Sequence, residues 1–152
     1  MNIRKAQLKD AETLNHLLTL LIQDEKQYDD SINEDFVVTD FYEHYVEDKE
    51  KCILVAEEKN NIVGYLYGYI KSIDPTINNK TSVLDALYID EFFRDKGIAN
   101  ELINNFKLWS KENNINKIEV SVCSKNTKAK HIYNKHGFKI VKETLLLEID
   151  NN

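Results

Sequence analysis

Residues 82–109, SVLDALYIDEFFRDKGIANELINNFKLW, contain a complete strand–turn–helix unit. The first part, 82–89, is rich in β-branched and aromatic residues and predicts a strand. Further on, Ile98, Leu102, Phe106 and Trp109 recur at three- and four-residue steps, with Ala99 and Ile103 beside them. That spacing predicts an amphipathic helix over about 97–112. Gly97, one of four glycines in the chain, stands at the junction. Glycine within a helix costs about 1 kcal/mol relative to alanine, so its use here signals special backbone angles or the close approach of another group. A helix N-terminus offers unpaired N–H groups and a partial positive charge, and Arg94 and Lys96 add full charges. Phosphate is the expected guest of such a turn; basic residues facing water are the bland alternative.

Working outward, strands are expected at 2–5, 52–58, 62–73, 117–122, 138–142 and 144–149. Gly64 and Gly68 either relieve crowding in their strand or mark a bulge. Asp10 is the expected N-cap of a helix carrying Leu14, Leu17, Leu18 and Leu21. A second helix is expected over 35–49, with Phe36, Phe41, Tyr42 and Tyr45, and another over about 126–136. The pattern is mixed α and β in one domain, 1–152, with antiparallel hairpins early. The strands at 82–89 and 117–122, joined by the long helix, are expected to be parallel neighbours. Ligands favour the carboxyl ends of such strands, near Ile89 and Val122.

Composition narrows the functional classes. A net charge of −6 argues against a nucleic-acid partner, whose phosphates need a basic surface. No run approaches the ~20 apolar residues of a membrane span. The opening MNIRKAQLKDAE has no apolar signal region, so a cytoplasmic protein is expected. Cys52 and Cys123 are isolated, and His16, His44, His131 and His136 lie in no metal-binding spacing, so no metal is expected. Acid is concentrated between Asp24 and Glu50. That run reads either as a solvated face or as a rim attracting a cationic substrate.

The stretch NTKAKHIYNKHGF, 126–138, adds a second motif. Asn126 opens a helix, Ala129, Ile132 and Tyr133 line one face, and Gly137 closes it. Together with Arg94-x-x-Gly97-x-Ala99 upstream, this set resembles the GCN5-related N-acetyltransferase superfamily, in element order over essentially the whole chain. The resemblance implies a central mixed, mostly antiparallel sheet with a splayed parallel strand pair and flanking helices. It also implies acetyl-coenzyme A as co-substrate, with its pyrophosphate on the backbone around Arg94, Asp95, Lys96, Gly97, Ile98 and Ala99. Leu87, Tyr88 and Ile89 would border the pantetheine and acetyl group, and Asn126 and Lys130 would complete the cofactor set. Three positions depart from the family's habit. Glu91 stands where proline is common, Asp95 where glycine is frequent, and Ala99 where the last small residue is usually glycine.

Acetyl transfer to an amine needs a route for the amine proton, donors for the oxyanion and a proton for the departing thiolate. Tyr133 matches the family's tyrosine and is the expected general acid; a packing tyrosine is the alternative. Strand N–H groups near Ile89 are the candidate oxyanion donors. Asp85 is the expected base, sharing a strand face with Leu87 and Ile89 if alternation is unbroken. Glu91, Asp40, Glu43 and His44 are its rivals. Cys123 reads as a packing thiol, since no histidine is set beside it for a ping-pong route. The expected acceptor is a small cationic amine, with no nucleic acid or membrane partner and with a homodimer as a compatible assembly. A non-catalytic coenzyme A-binding sensor or docking module, another acyl donor, an alcohol acceptor and a protein or peptide amine are the other readings.

Overall fold

The computed structural model describes residues 1–150. Five strands, β1 (Asn2–Lys5), β2 (Lys51–Glu58), β3 (Asn61–Ile70), β4 (Thr81–Ile89) and β5 (Lys117–Val120), form one sheet in sequence order. Every neighbouring pair is antiparallel except β4 and β5, which are parallel, as the strand–helix–strand reading predicts. Helices α1 (Ala11–Glu25), α2 (Ile98–Glu112) and α3 (Thr127–Lys135) complete the fold.

Two apolar clusters lie on the two faces of the sheet. Leu14 and Leu17 of α1 pack with Tyr42, Ile53, Val55, Tyr65, Tyr67, Ala86 and Tyr88. Leu102, Ile103 and Phe106 of α2 pack with Cys52, Leu54, Ala56, Leu66 and Leu84. Gly68 makes that second contact possible, because a Cβ there would meet the Phe106 ring and the Val83 carbonyl. Buried Ser82 and Ser110 share a hydrogen bond at 2.9 Å, which ties the start of β4 to α2.

Two expectations fail, and a third holds only in position. The helix expected over 35–49 is only a 3₁₀ turn, Tyr42–His44. Polar groups of α1 take the backbone groups that a helix would have used: Thr19 Oγ1 accepts from Val38 N–H, Asn15 Oδ1 accepts from Tyr42 N–H, and Asn15 Nδ2 donates to the Thr39 carbonyl. The strap is thereby held open while Phe41, Tyr42 and Tyr45 still reach the core. Asp10 holds the N-cap position of α1 as expected, but its side chain makes no bond to that helix's first turn. Instead it accepts from Arg4 at 2.8 Å and from Gln7 N–H at 2.7 Å, and the Arg4 bonds hold its carboxyl below the usual range. No strand forms over 138–149, where the apolar pattern predicts two. Smaller differences are the ends of β3 at Ile70 and of β5 at Val120, where hairpin and parallel pairing run out.

Candidate active site

β4 and β5 pair only from Thr81–Leu84 against Lys117–Val120. β5 then ends while β4 continues to Ile89. The parallel strands therefore part at Asp85, and one edge of β4 beyond that point has no neighbouring strand.

The same place carries a bulge. Tyr67 pairs with Ala86 and Gly68 with Leu84, so Asp85 has no partner in the ladder. An extra residue of this kind breaks the alternation of side chains and re-aims its own. Before the bulge, Ser82 and Leu84 face α2; after it, Leu87 and Ile89 do. Ala86 and Tyr88 face the tyrosine-rich cluster instead. Simple alternation puts Asp85 with Leu87 and Ile89, and the bulge overturns that: Asp85 faces Tyr42, Tyr65, Tyr67 and Tyr69, all of which feel its charge. Asp85 is open to solvent, yet enclosure by the surrounding protein raises its carboxyl above the usual range.

Glu25 joins it from the last turn of α1. Its carboxyl is also raised, first by burial and then by the charges of Asp29 and Asp85. Glu25 in turn acts on Tyr133 of α3, whose hydroxyl is pushed up to about 12, chiefly by burial. Cys123 feels both Asp29 and Glu25, and burial with these carboxylates raises its thiol, which disfavours a thiolate. Asp85, Glu25 and Tyr133 are thus electrically linked around the parting of the strands. Glu25 is absent from the sequence-based candidates, although a signal for it exists. Leu14, Leu18, Leu21 and Glu25 continue one stripe at four-, three- and four-residue steps, so a carboxylate ends an apolar face. The tyrosines had a signal too, in the period-two run Tyr65, Tyr67, Tyr69.

Beyond β4, Asp90 Oδ1 accepts from Phe92 N–H at 2.9 Å and caps a 3₁₀ turn, Glu91–Phe93. Asp95 and Gly97 then take left-handed angles, φ 62° and 82°. From Arg94 through Asn100, no backbone N–H donates to an acceptor among the described residues. The first to do so is Glu101, to the Gly97 carbonyl at 3.1 Å. A run of free N–H groups around left-handed residues is a concave anion cradle, here continuous with the start of α2. The space at a Gly97 Cβ is empty, so the glycine is required by its positive φ rather than by crowding within the protein.

The remaining sequence candidates take definite positions. Arg94 faces back into the fold: Nε donates to the Ile89 carbonyl at 2.8 Å, Nη2 to Asp24 at 2.9 Å, and the guanidinium lies 5.3 Å from the Tyr88 ring centre. It braces the turn against β4 and α1. Lys96 lies over Phe93, and Asp95 reaches Lys128 of α3 at 3.6 Å. Ile98 is buried and Ala99 half-buried at the first turn of α2. Asn126 caps α3 by accepting from Ala129 N–H at 3.1 Å, and Lys130 donates to the Ser124 carbonyl. Among the rival bases, Glu43 accepts from Asn15 at 2.7 Å, Asp40 pairs with His44, and Glu91 is exposed at the start of its turn.

Comparison with known proteins bears on the whole arrangement. N-acetyltransferase 8 of Homo sapiens is 26% identical over 102 residues, covering 67% of this chain and 44% of the relative. The chain thus spans under half the length of that relative. The fold matches that of a tetramutant of the BH1408 protein from Bacillus halodurans with a TM-score of 0.87, at 24% identity, over 98% of this chain and all of that one. It also matches aminoglycoside N-acetyltransferase AAC(6')-Iy, solved in complex with CoA, with a TM-score of 0.72 at 14% identity, over 98% and 99% of the two chains. The acetyltransferase (GNAT) family pattern matches residues 15–138, from within α1 through the end of α3. With the sheet, the parted strands and the family match over most of its length in agreement, the chain belongs to the acetyltransferase (GNAT) family.

Proposed function

We propose that the protein transfers an acetyl group from acetyl-coenzyme A to a small cationic primary amine, by direct attack within a ternary complex. The observation that carries this reading is the unbroken run of free amides from Arg94 to Asn100, set one turn beyond a strand whose edge is bare and whose bulge holds a carboxylate. These amides fit a pyrophosphate, and the bare edge of β4 from Asp85 to Ile89 fits an amide-bearing chain lying along it. Acetyl-coenzyme A supplies the acetyl group as a thioester.

In this reading the amine nitrogen bonds to the acetyl carbon as the carbon–sulfur bond breaks. One proton leaves nitrogen and one reaches sulfur. Asp85 takes the first, directly or through water, and its raised carboxyl makes it a stronger base than an ordinary aspartate. Tyr133 gives the second. A hydroxyl held up to about 12 stays protonated at neutral pH and so is available as a donor to the departing sulfur. Backbone N–H groups at the bare edge near Ile89 receive the developing negative charge on the acetyl oxygen. The preference for a cationic amine follows from Asp85, Glu25 and the aromatic wall of Tyr45, Tyr67 and Tyr69, since ring faces and carboxylates both attract ammonium groups.

A panel of polyamines, aminoglycosides, amino acids and peptides, with thiol release followed after addition of acetyl-coenzyme A, tests the proposal. Cationic small amines should turn over fastest, and more slowly as salt rises. Tight coenzyme A binding without turnover on any amine would replace the enzyme by a binding module. Equal rates on cationic and neutral-bodied amines would remove the acceptor assignment alone.

A further inference from the structure

Helix α3 carries Tyr133 but is lightly anchored. None of its residues is fully buried, and Ile132 and Tyr133 pack only partly against the cluster under α2. Polar ties hold its two ends. At the start, Lys128 meets Asp95 of the turn at 3.6 Å between exposed side chains, a contact that contributes little in water. At the end the tie is better made. His136, the C-cap of α3, reaches two residues of α2: Nδ1 lies 3.0 Å from Lys107 Nζ, and Nε2 lies 2.8 Å from Asn100 Oδ1. An ammonium has three N–H donors and no acceptor, so Nδ1 must offer its lone pair to Lys107. Nε2 then carries the ring hydrogen and donates to Asn100. Only the neutral imidazole, in that one tautomer, makes both bonds. A proton on Nδ1 would set two cations 3.0 Å apart and break the first of them. The negative end of α3 would otherwise favour a charged ring, but Lys107 already serves it by donating to the His136 carbonyl at 3.4 Å. Among the described residues, Lys107 is the charged side chain that acts on His136, and Asn100, its other contact on α2, is uncharged.

We propose that His136 is a positioning residue for acetyl transfer: its neutral ring clasps α3 to α2 and so fixes the place of Tyr133, and a proton on the ring opens the clasp. This inference rests on the reading of Tyr133 as the general acid. The connection between the two residues is short and stiff. The Tyr133 carbonyl accepts from His136 N–H and from Phe138 N–H, each at 3.1 Å, and the Tyr133 ring packs edge-on to Phe138 at 5.6 Å between centres. On the other side the clasp reaches Asn100, the last residue of the free-amide run, so one ring joins the proton donor to the cofactor turn. Burial, and then Lys107, lower the His136 pKa in the closed arrangement. The open form takes up its proton at the ordinary histidine value, about 6.5, and the closed form only at lower pH. The clasp is therefore at full strength above that value and weakens as pH falls through it.

The test follows thiol release by the full chain at saturating substrates across the acid and neutral range. His136→Gln keeps an acceptor and a donor but no titrating charge. It should hold turnover within about twofold above the histidine range and lose the acid limb that the ring contributes. His136→Arg, a permanent cation, should lower turnover about ten- to 100-fold at every pH, the scale of a slight misplacement of a reacting group. Combined with Tyr133→Phe, it should be no slower than Tyr133→Phe alone. A His136→Arg protein at the natural rate, a His136→Gln protein with the acid limb intact, or losses that multiply in the double variant would overturn the proposal. Nitrogen NMR spectra of the imidazole read the clasp without catalysis, and they decide if His136→Arg does not fold. His136 should show the Nε2–H tautomer, and Lys107→Met should raise its pKa; the other tautomer, or an unmoved pKa, would overturn the clasp. Tyr133→Phe alone at the natural rate would remove the general-acid reading, and this inference with it, while the tautomer stays as found, so the two failures are told apart.

Discussion

The turn from Asp90 to Asn100 and the wall around Asp85 are adjacent in the chain and work by different chemistry. The turn offers backbone: free amides, two left-handed residues, and an arginine turned inward as a brace. The wall offers side chains: a bulged aspartate, a glutamate from α1, and tyrosines from β3 and the strap. Backbone chemistry tolerates many side chains provided the angles hold. Side-chain chemistry tolerates few, because each group's pKa depends on its neighbours. Substitutions in the turn should therefore act through conformation, and those in the wall through proton transfer and charge.

The largest expected effects lie in the wall. Asp85→Asn should lower turnover by roughly 100-fold or more and remove the limb of the pH–rate profile that reports the base. Tyr133→Phe should lower turnover by roughly 10- to 1000-fold with coenzyme A affinity nearly unchanged, measured by calorimetry beside steady-state rates. If either variant loses affinity instead of rate, the division between turn and wall breaks down.

Gly97 tests the other side of the division. Valine at φ 82° should cost about 1–3 kcal/mol of backbone strain and weaken coenzyme A binding about tenfold or more. Asparagine, which enters the left-handed region more readily, should retain most of the affinity. Equal losses in both variants would mean that the missing side chain, and not the angle, is what the ligand requires.

Tyr67→Ala should raise the Michaelis constant for a cationic amine by about three- to tenfold, in line with a ring–cation contact, and leave that for a neutral amine less affected. The smallest effect concerns Glu25. Its carboxyl is raised, so the native state keeps its proton at a pH where the unfolded chain has lost it. That contribution to stability is complete below the ordinary glutamate value and is lost as pH rises through the raised native value. Glu25→Gln should therefore raise the melting temperature by about 2 °C near neutral pH, a modest gain because the group is only half enclosed. Near pH ~4 the gain should vanish.

The same division explains what could be read from the sequence. β4, the turn, α2 and α3 follow from local signals: apolar periodicity, a glycine at positive φ, an asparagine cap. Each depends on residues within a few positions of one another. The strap at 35–49 could not be read locally, because its conformation is set by Asn15 and Thr19 on another element. Asp85 could be picked out but not aimed, since a bulge is a property of two strands and of the Gly68–Phe106 contact beside it. The segment after Phe138 carries a strand's pattern without a strand's partner, which no property of that segment reveals.

The bulge at Asp85 also acts as a phase shifter within β4. Everything before it and everything after it is correctly oriented only because one residue is uncounted by the ladder. Drawing Asp85 into the ladder, with the length unchanged, would restore simple alternation and, by doing so, turn either Ser82 and Leu84 or Leu87 and Ile89 away from α2. The strand would become more regular and the protein would lose its core. The residue that the ladder leaves uncounted is thus the one left available for chemistry.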